Sequence, residues 1–233
     1  MKEMELIIAI FILIIMLLII AKVYDINIRR LKQFAEYEET KFNKITERYP
    51  SNIEICKYIL NKLNNKNVKI EEDEKLDTCL YIAPTNKIVI GNVKNSYTRI
   101  QTIAHECLHS VQNRKILLFN FIFSNIYLLY FIITLALAIF NKLQYKMLFF
   151  SVMIILSYIY YFVRSYLEND AMIKAKYLAK EFMEEVQVSS KDEISKIVDS
   201  FDKLNDMGIK TVNFQLMFET LIKTIIFAIA LLI

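Results

Sequence analysis

A chain of 233 residues that is 55% hydrophobic, yet holds only two glycines, two prolines and no tryptophan, has too few turn-makers for a many-stranded sheet protein. Its formal net charge is +4 and its basic residues stand mostly beside apolar runs, a distribution that fits a membrane surface and leaves no nucleic acid among the expected partners. Three cysteines (Cys56, Cys79 and Cys107), odd in number and without C-x-x-C spacing, argue against a disulfide framework and read as reduced thiols.

Leu6 to Ala21 is an unbroken aliphatic run, preceded by Glu3 and Glu5 and followed by Lys22. With its flanks it can cross a hydrocarbon core of ~30 Å. It lacks the basic start and small-x-small site of a cleaved signal, so residues 1–21 are expected to form a retained anchor. Residues 22–115 then open on Arg29, Arg30 and Lys32, in a helical stalk with Leu31, Phe34, Phe42 and Ile45 as its apolar positions. A second helix is expected from Asn52 to Leu63, ended by Asn64-Asn65, which tolerate left-handed backbone angles. Val68 to Glu71, Cys79 to Ile82 and Lys87 to Ile90 read as short strands, with Ala83-Pro84-Thr85-Asn86 as a hairpin turn. Another helix is expected from Ser96, its cap, to Arg114.

Ile116 to Phe140 and Met147 to Val163 are two further apolar runs, joined by the short link Asn141 to Lys146. Phe119 to Phe140 carries no charge, so 116–163 is expected to be a transmembrane hairpin, not two buried helices of a soluble bundle. Residues 164–210 read as helical. Ser190-Lys191-Asp192-Glu193 is a capping box, and Ile194, Ile197, Val198, Phe201 and Leu204 form one apolar stripe. The last run, 211–233, holds Glu219 and Lys223, whose i,i+4 spacing lets them pair and lowers the cost of a fourth span.

The chemistry concentrates at His105-Glu106-Cys107-Leu108-His109, an H-E-x-x-H pattern built from the only two histidines in the chain. Residues four apart on a helix share a face, so both imidazoles can reach one ion, while Glu106 can reach a water there as general base. Cys107 falls on the opposite face and reads as core. A zinc site needs a third protein ligand and an open position, and with no histidine left that ligand must be a carboxylate. Residues 110–163 hold none; Glu168 and Asp170 are the first afterwards, and Glu181, Glu184 and Glu185 follow. Glu168 is the expected third ligand. The fold class that results is a mainly α membrane protein with about four transmembrane helices, an α+β catalytic part with a short antiparallel strand set, and a zincin-like H-E-x-x-H helix.

Lys57 to Gln112, with Glu168-Asn169-Asp170-Ala171, resembles the YugP-like family of neutral zinc metallopeptidases of bacterial membranes. That family has an N-terminal anchor, a short helix and hairpin, an H-E-x-x-H motif followed by a small residue and a glutamine (here Ser110 and Gln112), a membrane hairpin and an E-x-D-A segment. The resemblance implies a zinc-dependent peptidase with His105, His109 and Glu168 as ligands and Glu106 as base. In the expected mechanism zinc acidifies a bound water, Glu106 takes its proton and returns it to the leaving amine, and Asp170 steadies a ligand imidazole from behind. The Lys87 to Ile90 strand is a candidate to pair with substrate backbone.

Lys22, Arg29, Arg30 and Lys32, then Arg114 and Lys115, then Arg164 flank the runs on one side, against Lys2, Lys142 and Lys146 on the other. The positive-inside rule therefore predicts a multi-pass cell-membrane protein with its site in the cytoplasm. The expected partners are the lipid bilayer and a peptide or protein substrate. Two other readings stand beside the peptidase: an inactive membrane scaffold that only binds metal, and an intramembrane, site-2-like protease.

Overall fold

A computed structural model describes residues 2–25 and 27–232. Met1 and Ile233, which close the expected first and fourth spans, and Ile26 of the expected stalk lie outside the described residues, as do the side chains of Lys2, Glu3 and Ile28. The chain is mainly helical, with α1 (Lys2–Tyr24), α2 (Ile28–Thr46), α3 (Asn52–Lys62), α4 (Arg99–His109), α5 (Arg114–Ile139), α6 (Lys146–Val186) and α7 (Lys191–Ala230). Three short strands, β1 (Lys69–Glu72), β2 (Leu80–Ile82) and β3 (Lys87–Ile90), form one sheet in the order β1-β3-β2.

Local chemistry sets most of the boundaries. Ser51 and Glu54 close a reciprocal capping box at the start of α3, and Ser190 and Glu193 do the same before α7. Asn64, Asn86 and Asn141 carry positive φ angles of 55°, 48° and 52°, each where a helix or turn must reverse. Asn86 ends a short 3-10 turn over Ala83–Thr85 that links β2 to β3. The expected strands and turn are thus present, but the set is not purely antiparallel. β2 runs antiparallel to β3 with Tyr81 opposite Ile88, whereas β1 runs parallel to β3 with Ile70 opposite Ile88. The long connection from β1 to β2 lets β1 join the sheet in that direction.

Two helices are longer than the sequence pattern suggests and one is shorter. The apolar run at 147–163 continues without a break into the polar region as the 41-residue α6, and α7 likewise runs 40 residues from its capping box into the last apolar run. Nothing in Arg164 to Asp170 breaks a helix, since neither glycine nor proline occurs there. By contrast α4 begins at Arg99, not Ser96, and stops at His109. The Ser110 hydroxyl donates to the Cys107 carbonyl at 2.6 Å and the chain turns before Asn113, whose side chain caps α5 by accepting from Lys115 N–H at 2.9 Å.

Four helical stretches are long and apolar enough to cross a membrane: one beginning at Met4, and α5, α6 and α7. The chain divides into two compact units. The first takes Met1–Ile26, Phe119–Tyr166 and Lys210–Ile233. Its buried residues include Tyr127, Phe150, Met153 and Phe227. A polar chain crosses it from the Tyr127 hydroxyl to Ser157 Oγ at 3.0 Å and on to Thr224 Oγ1 at 3.2 Å. Lys223 pairs with Glu219 at 2.5 Å and lies over the Tyr127 ring, so the one ion pair of that apolar stretch is internally compensated among the described residues.

The second unit takes Asn27–Leu118 and Leu167–Ile209. Ile100, Ile103, Ala104 and Cys107 give α4 an apolar face, and Ala171, Ala175, Leu178, Ala179 and Phe182 give α6 another; both are buried in one core with Ile55, Ile59, Ile88, Ile197 and Phe201. The Arg99 guanidinium, 3% exposed, stitches the start of α4 to the chain after α2. It donates to the carbonyls of Thr46, Tyr49 and Pro50 and to Asn52 Oδ1 at 2.7–3.0 Å. The three cysteines are free thiols, Cys56 and Cys107 having their sulfurs 3.7 Å apart in this core. Burial pushes Cys79 up to about 11 and Cys107 well above the usual thiol value, so both stay protonated and unreactive.

Gly91, directly after β3, is where the backbone packs closest. A Cβ there would lie 2.1 Å from the Thr78 carbonyl oxygen and 2.6 Å from that of Leu76. Gly91→Ala therefore forces two backbone segments apart and should lower stability by about 1–3 kcal/mol. Gly208→Ala meets only the Met172 methyl, on a flexible side chain, and gains helix propensity, so it should be neutral or stabilising. Thermal unfolding of the two variants in the same detergent checks the contrast.

Candidate metal centre

Helix α4 turns its apolar face to the core and so presents His105 and His109 on the other side. The core face of α6 runs through Ala171 and Ala175, and Glu168, nearly one turn before Ala171, reaches the same place. The His105 and His109 Nε2 atoms are 3.0 Å apart, and Glu168 Oε2 lies 3.4 Å from the first and 3.7 Å from the second. Glu181, Glu184 and Glu185 are not part of this group among the described residues. Glu185 instead bonds Tyr58 and Lys62, and Glu181 pairs with Lys62.

The hydrogen bonds fix the histidine tautomer. Gln112 Nε2 donates to the Leu167 carbonyl at 2.9 Å and to Asp170 Oδ2 at 3.0 Å, which leaves Gln112 Oε1 as an acceptor. His109 Nδ1, 2.8 Å from that oxygen, must then carry the proton. With Nδ1 protonated, the neutral ring turns the Nε2 lone pair towards His105 and Glu168. Lone pairs facing one another at such distances repel unless a hydrogen, such as one on His105 Nε2, or a metal ion stands among them. A tetrahedral ion with bonds of ~2.0–2.1 Å would set its ligand atoms ~3.3 Å apart, close to the three separations observed. Two imidazoles and one carboxylate make a donor set that suits zinc and its first-row neighbours. The three residues fit a metal ion.

Metal ion aside, the protein charges compensate one another. Burial alone would lower the His109 pKa, but the hydrogen bond to Glu168, the charges of Glu106 and Glu168 and the Gln112 contact together raise it. Glu106 is buried, and burial raises its carboxyl above the ordinary value; His105, His109 and a backbone hydrogen bond oppose that rise and Glu168 adds to it. The backbone donor is Tyr81 N–H in β2, 2.6 Å from Glu106 Oε2. Glu106 Oε1 is 3.9 Å from His105 Nε2.

Asp170 holds a different place from the one expected. It touches neither imidazole directly: Gln112 stands between it and His109, and its other oxygen pairs with Lys174 at 2.5 Å. Burial would raise the Asp170 pKa, but Lys174 and Gln112 outweigh it and hold the carboxyl below its usual value. The direct support of His109 is thus an amide, possible because the chain turns back within three residues of the histidine. The sequence offered that role no signal beyond the spacing of Gln112 from His109. Arg99 was equally silent, because a buried arginine held by carbonyls looks like any other in sequence. Compared with known family models, with curated proteins and with solved structures, the chain finds no match in any of the three.

Three measurements test this centre. His105→Ala with His109→Ala should abolish stoichiometric metal in elemental analysis, and Glu168→Ala should weaken it strongly while Glu184→Ala leaves it intact. Gln112→Leu, which keeps all three ligand atoms but frees the imidazole, should weaken metal binding about 10–100-fold in competition with a chelator. Metal affinity should also fall as pH drops through the His109 pKa, because the protonated ring has no lone pair to give. That fall should begin above the ordinary histidine value, since the pKa is raised.

Proposed function

We propose that this chain is a membrane-bound zinc metallopeptidase that hydrolyses peptide bonds in polypeptide segments close to the bilayer. One observation carries the reading: Glu106 is a buried carboxylate that the three converging acceptors do not need, yet it stands beside them with one oxygen fixed by Tyr81 N–H. A site that only stored metal would gain nothing from that second carboxylate, which counts against the scaffold reading. The resemblance to the YugP-like peptidases favours the same conclusion.

Zinc bound by His105, His109 and Glu168 would supply Lewis acidity, polarising the scissile carbonyl and acidifying a water near neutral pH. Glu106 takes the proton of the attacking water and hands it to the leaving amine nitrogen. Its burial suits both halves of that task, since a carboxyl with a raised pKa holds a proton longer than an exposed one. Tyr81 N–H keeps the carboxylate aimed, and Gln112 keeps His109 in the tautomer that offers Nε2.

The strand beside the site is β2, not β3. β3 is the central strand and both its edges are paired, which removes Lys87 to Ile90 as a surface for substrate. Among the described residues β2 pairs with a strand on one edge only, and its Tyr81 N–H donates to Glu106. An extended peptide added along β2 would bring a carbonyl past the base.

The membrane-length helices are proposed to span the cell membrane, with the charge asymmetry of their flanks placing the site on the cytoplasmic side. Gln101, Thr102, Gln112, Asn113, Arg114 and Lys115 surround the motif with polar groups, which disfavours an intramembrane protease. His109 precedes α5 by five residues and Glu168 follows Val163 by five on the same helix. Short, unfolded juxtamembrane segments and membrane-associated peptides are therefore the proposed substrates.

Glu106→Gln is the decisive variant. It should keep full zinc occupancy and lose hydrolysis about 10²–10⁴-fold. The assay compares cleavage fragments in reconstituted membranes with and without the active enzyme. Cuts confined to stretches near spans agree with the proposed substrates, whereas cuts scattered through soluble domains contradict them. Unchanged hydrolysis in Glu106→Gln contradicts the peptidase itself.

A further inference from the structure

The first unit holds a cavity of about 290 Å³ between α1, α6 and α7. Its walls run from Ala9 to Ile20 on α1, from Phe150 to Tyr161 on α6 and from Met217 to Thr224 on α7. On α1 and α6 the lining residues recur every three or four positions, so one face of each helix follows the cavity. The step from Ala9 to Ile20, like that from Phe150 to Tyr161, is ~16 Å at ~1.5 Å per residue, which sets the length. Volume and length together give the width. A cavity of ~150 Å³ holds one benzene ring, so one of about 290 Å³ holds about twelve carbon atoms. About twelve carbons spread over ~16 Å form a single file. An α-helix, ~10–12 Å across, is far too thick to enter.

The walls also limit what that file can carry. Thr220 Oγ1 donates to the Met217 carbonyl at 2.9 Å, and Thr224 Oγ1 to the Thr220 carbonyl at 2.8 Å. Thr224 has thereby used its one hydrogen, so Ser157 donates to it at 3.2 Å and the Tyr127 hydroxyl donates to Ser157 at 3.0 Å. The hydroxyls of Ser157, Thr220 and Thr224 are thus committed within the protein, and the middle of the cavity offers a ligand no donor. The other two lining hydroxyls, the phenols of Tyr158 and Tyr161, stand towards one end. Ile12 and Tyr158 are half-exposed, which gives the cavity a way in from the side.

We propose that this cavity takes one unbranched acyl chain of a bilayer phospholipid, with its ester end beside Tyr158 and Tyr161. A straight chain supplies carbon atoms in file and asks no hydrogen bond of the walls, and a phenol at the end can donate to an ester carbonyl. A ligand with polar groups along its length would leave them unpaired against these walls. On the reading that the three helices cross a bilayer, such chains surround the unit on every side. The seated chain fills the space that separates α1 from α6 and α7, so it belongs to the packing of the unit and not to the fluid around it.

The test uses the full-length protein in bilayers of methyl-branched phosphatidylcholine with a small fraction of straight-chain phosphatidylcholine, so that only the chain differs. The protein has no tryptophan, so Tyr158→Trp places a single fluorophore at the cavity. At equal mole fraction, straight chains brominated part-way along should quench it roughly tenfold more effectively than brominated branched chains, the order expected for forcing an extra methyl into filled space. Unlabelled straight chains should compete better as they lengthen to about twelve carbons, and no better beyond that. Phe121→Trp, on α5 and outside the lining, should show no preference between the chains. Ala9→Leu with Leu13→Phe fills the cavity from α1 and should abolish the preference. Leu221→Phe fills it from α7 and carries the same expectation should the α1 variant lose helical content in circular dichroism. Equal quenching by the two chain types overturns the proposal. So does an equal preference at Phe121→Trp, which would mean that branched chains avoid the whole surface, or a preference that survives in both filled variants. Competition by dodecanoic acid but not by straight-chain phosphatidylcholine also overturns it, because the occupant would then be a free fatty acid. No readout involves metal or hydrolysis, so the result is independent of the peptidase reading.

Discussion

Three ligand atoms from two helices meet at hydrogen-bond distance, and once Gln112 has claimed the His109 Nδ1 proton two of them, His109 Nε2 and Glu168 Oε2, are acceptors only. Facing lone pairs repel unless a hydrogen or a metal ion stands among them, and much of the second unit serves to hold the three side chains in place. α4 is pinned at its start by Arg99 and along its length by the core face that includes Cys107. α6 brings Glu168 in on the flank of an alanine-rich face that packs closely into the same core. Gln112 joins the two helices through the Leu167 carbonyl and Asp170, so one amide both sets a tautomer and sets the spacing between helices. The side chains that give the site its chemistry are few; the packing that keeps them together is most of the unit.

Much of this was readable from the residues. The four apolar runs, the Ser190 capping box, the stop at Asn64 and the turn ending at Asn86 all follow from local chemistry, and the helices and strands fall within a few residues of where those signals put them. The pair of histidines could be placed on one helical face by spacing alone. Glu168 emerged because the hairpin between holds no acid. What did not emerge depends on contacts between distant segments. The direction of β1 and the central place of β3 are decided by the connection between β1 and β2, which has no periodicity to read. The early end of α4 comes from Ser110 competing for a helix carbonyl, and serine occurs at many sites where it does no such thing.

The division between expected segments also needed revision where a helix ignores polarity. A change from apolar to charged side chains at Arg164 marks a change of surroundings, not of backbone, because the residues on both sides are good helix formers. α6 therefore passes from one unit to the other as a single element, and α7 does so in the opposite sense. Glu168 consequently sits within a continuous helix and not on a flexible join, which fixes its side-chain origin as firmly as those of the histidines.

The second unit is discontinuous, its two parts separated by Phe119–Tyr166. Chains are made from the amino terminus, so the order of residues is also an order in time. The stalk, the sheet and α4 are synthesised before the apolar hairpin, with Glu106 and both imidazoles already in hand. Glu168, the carboxylate that joins the two histidines, does not exist until the apolar hairpin has been translated, and the rest of α6 and α7, which close the core around it, come later still. On the proposed reading the nascent chain is therefore an incomplete enzyme throughout the period when its own unfolded segments are most exposed, and it matures only once the hairpin that precedes its last ligand has been made.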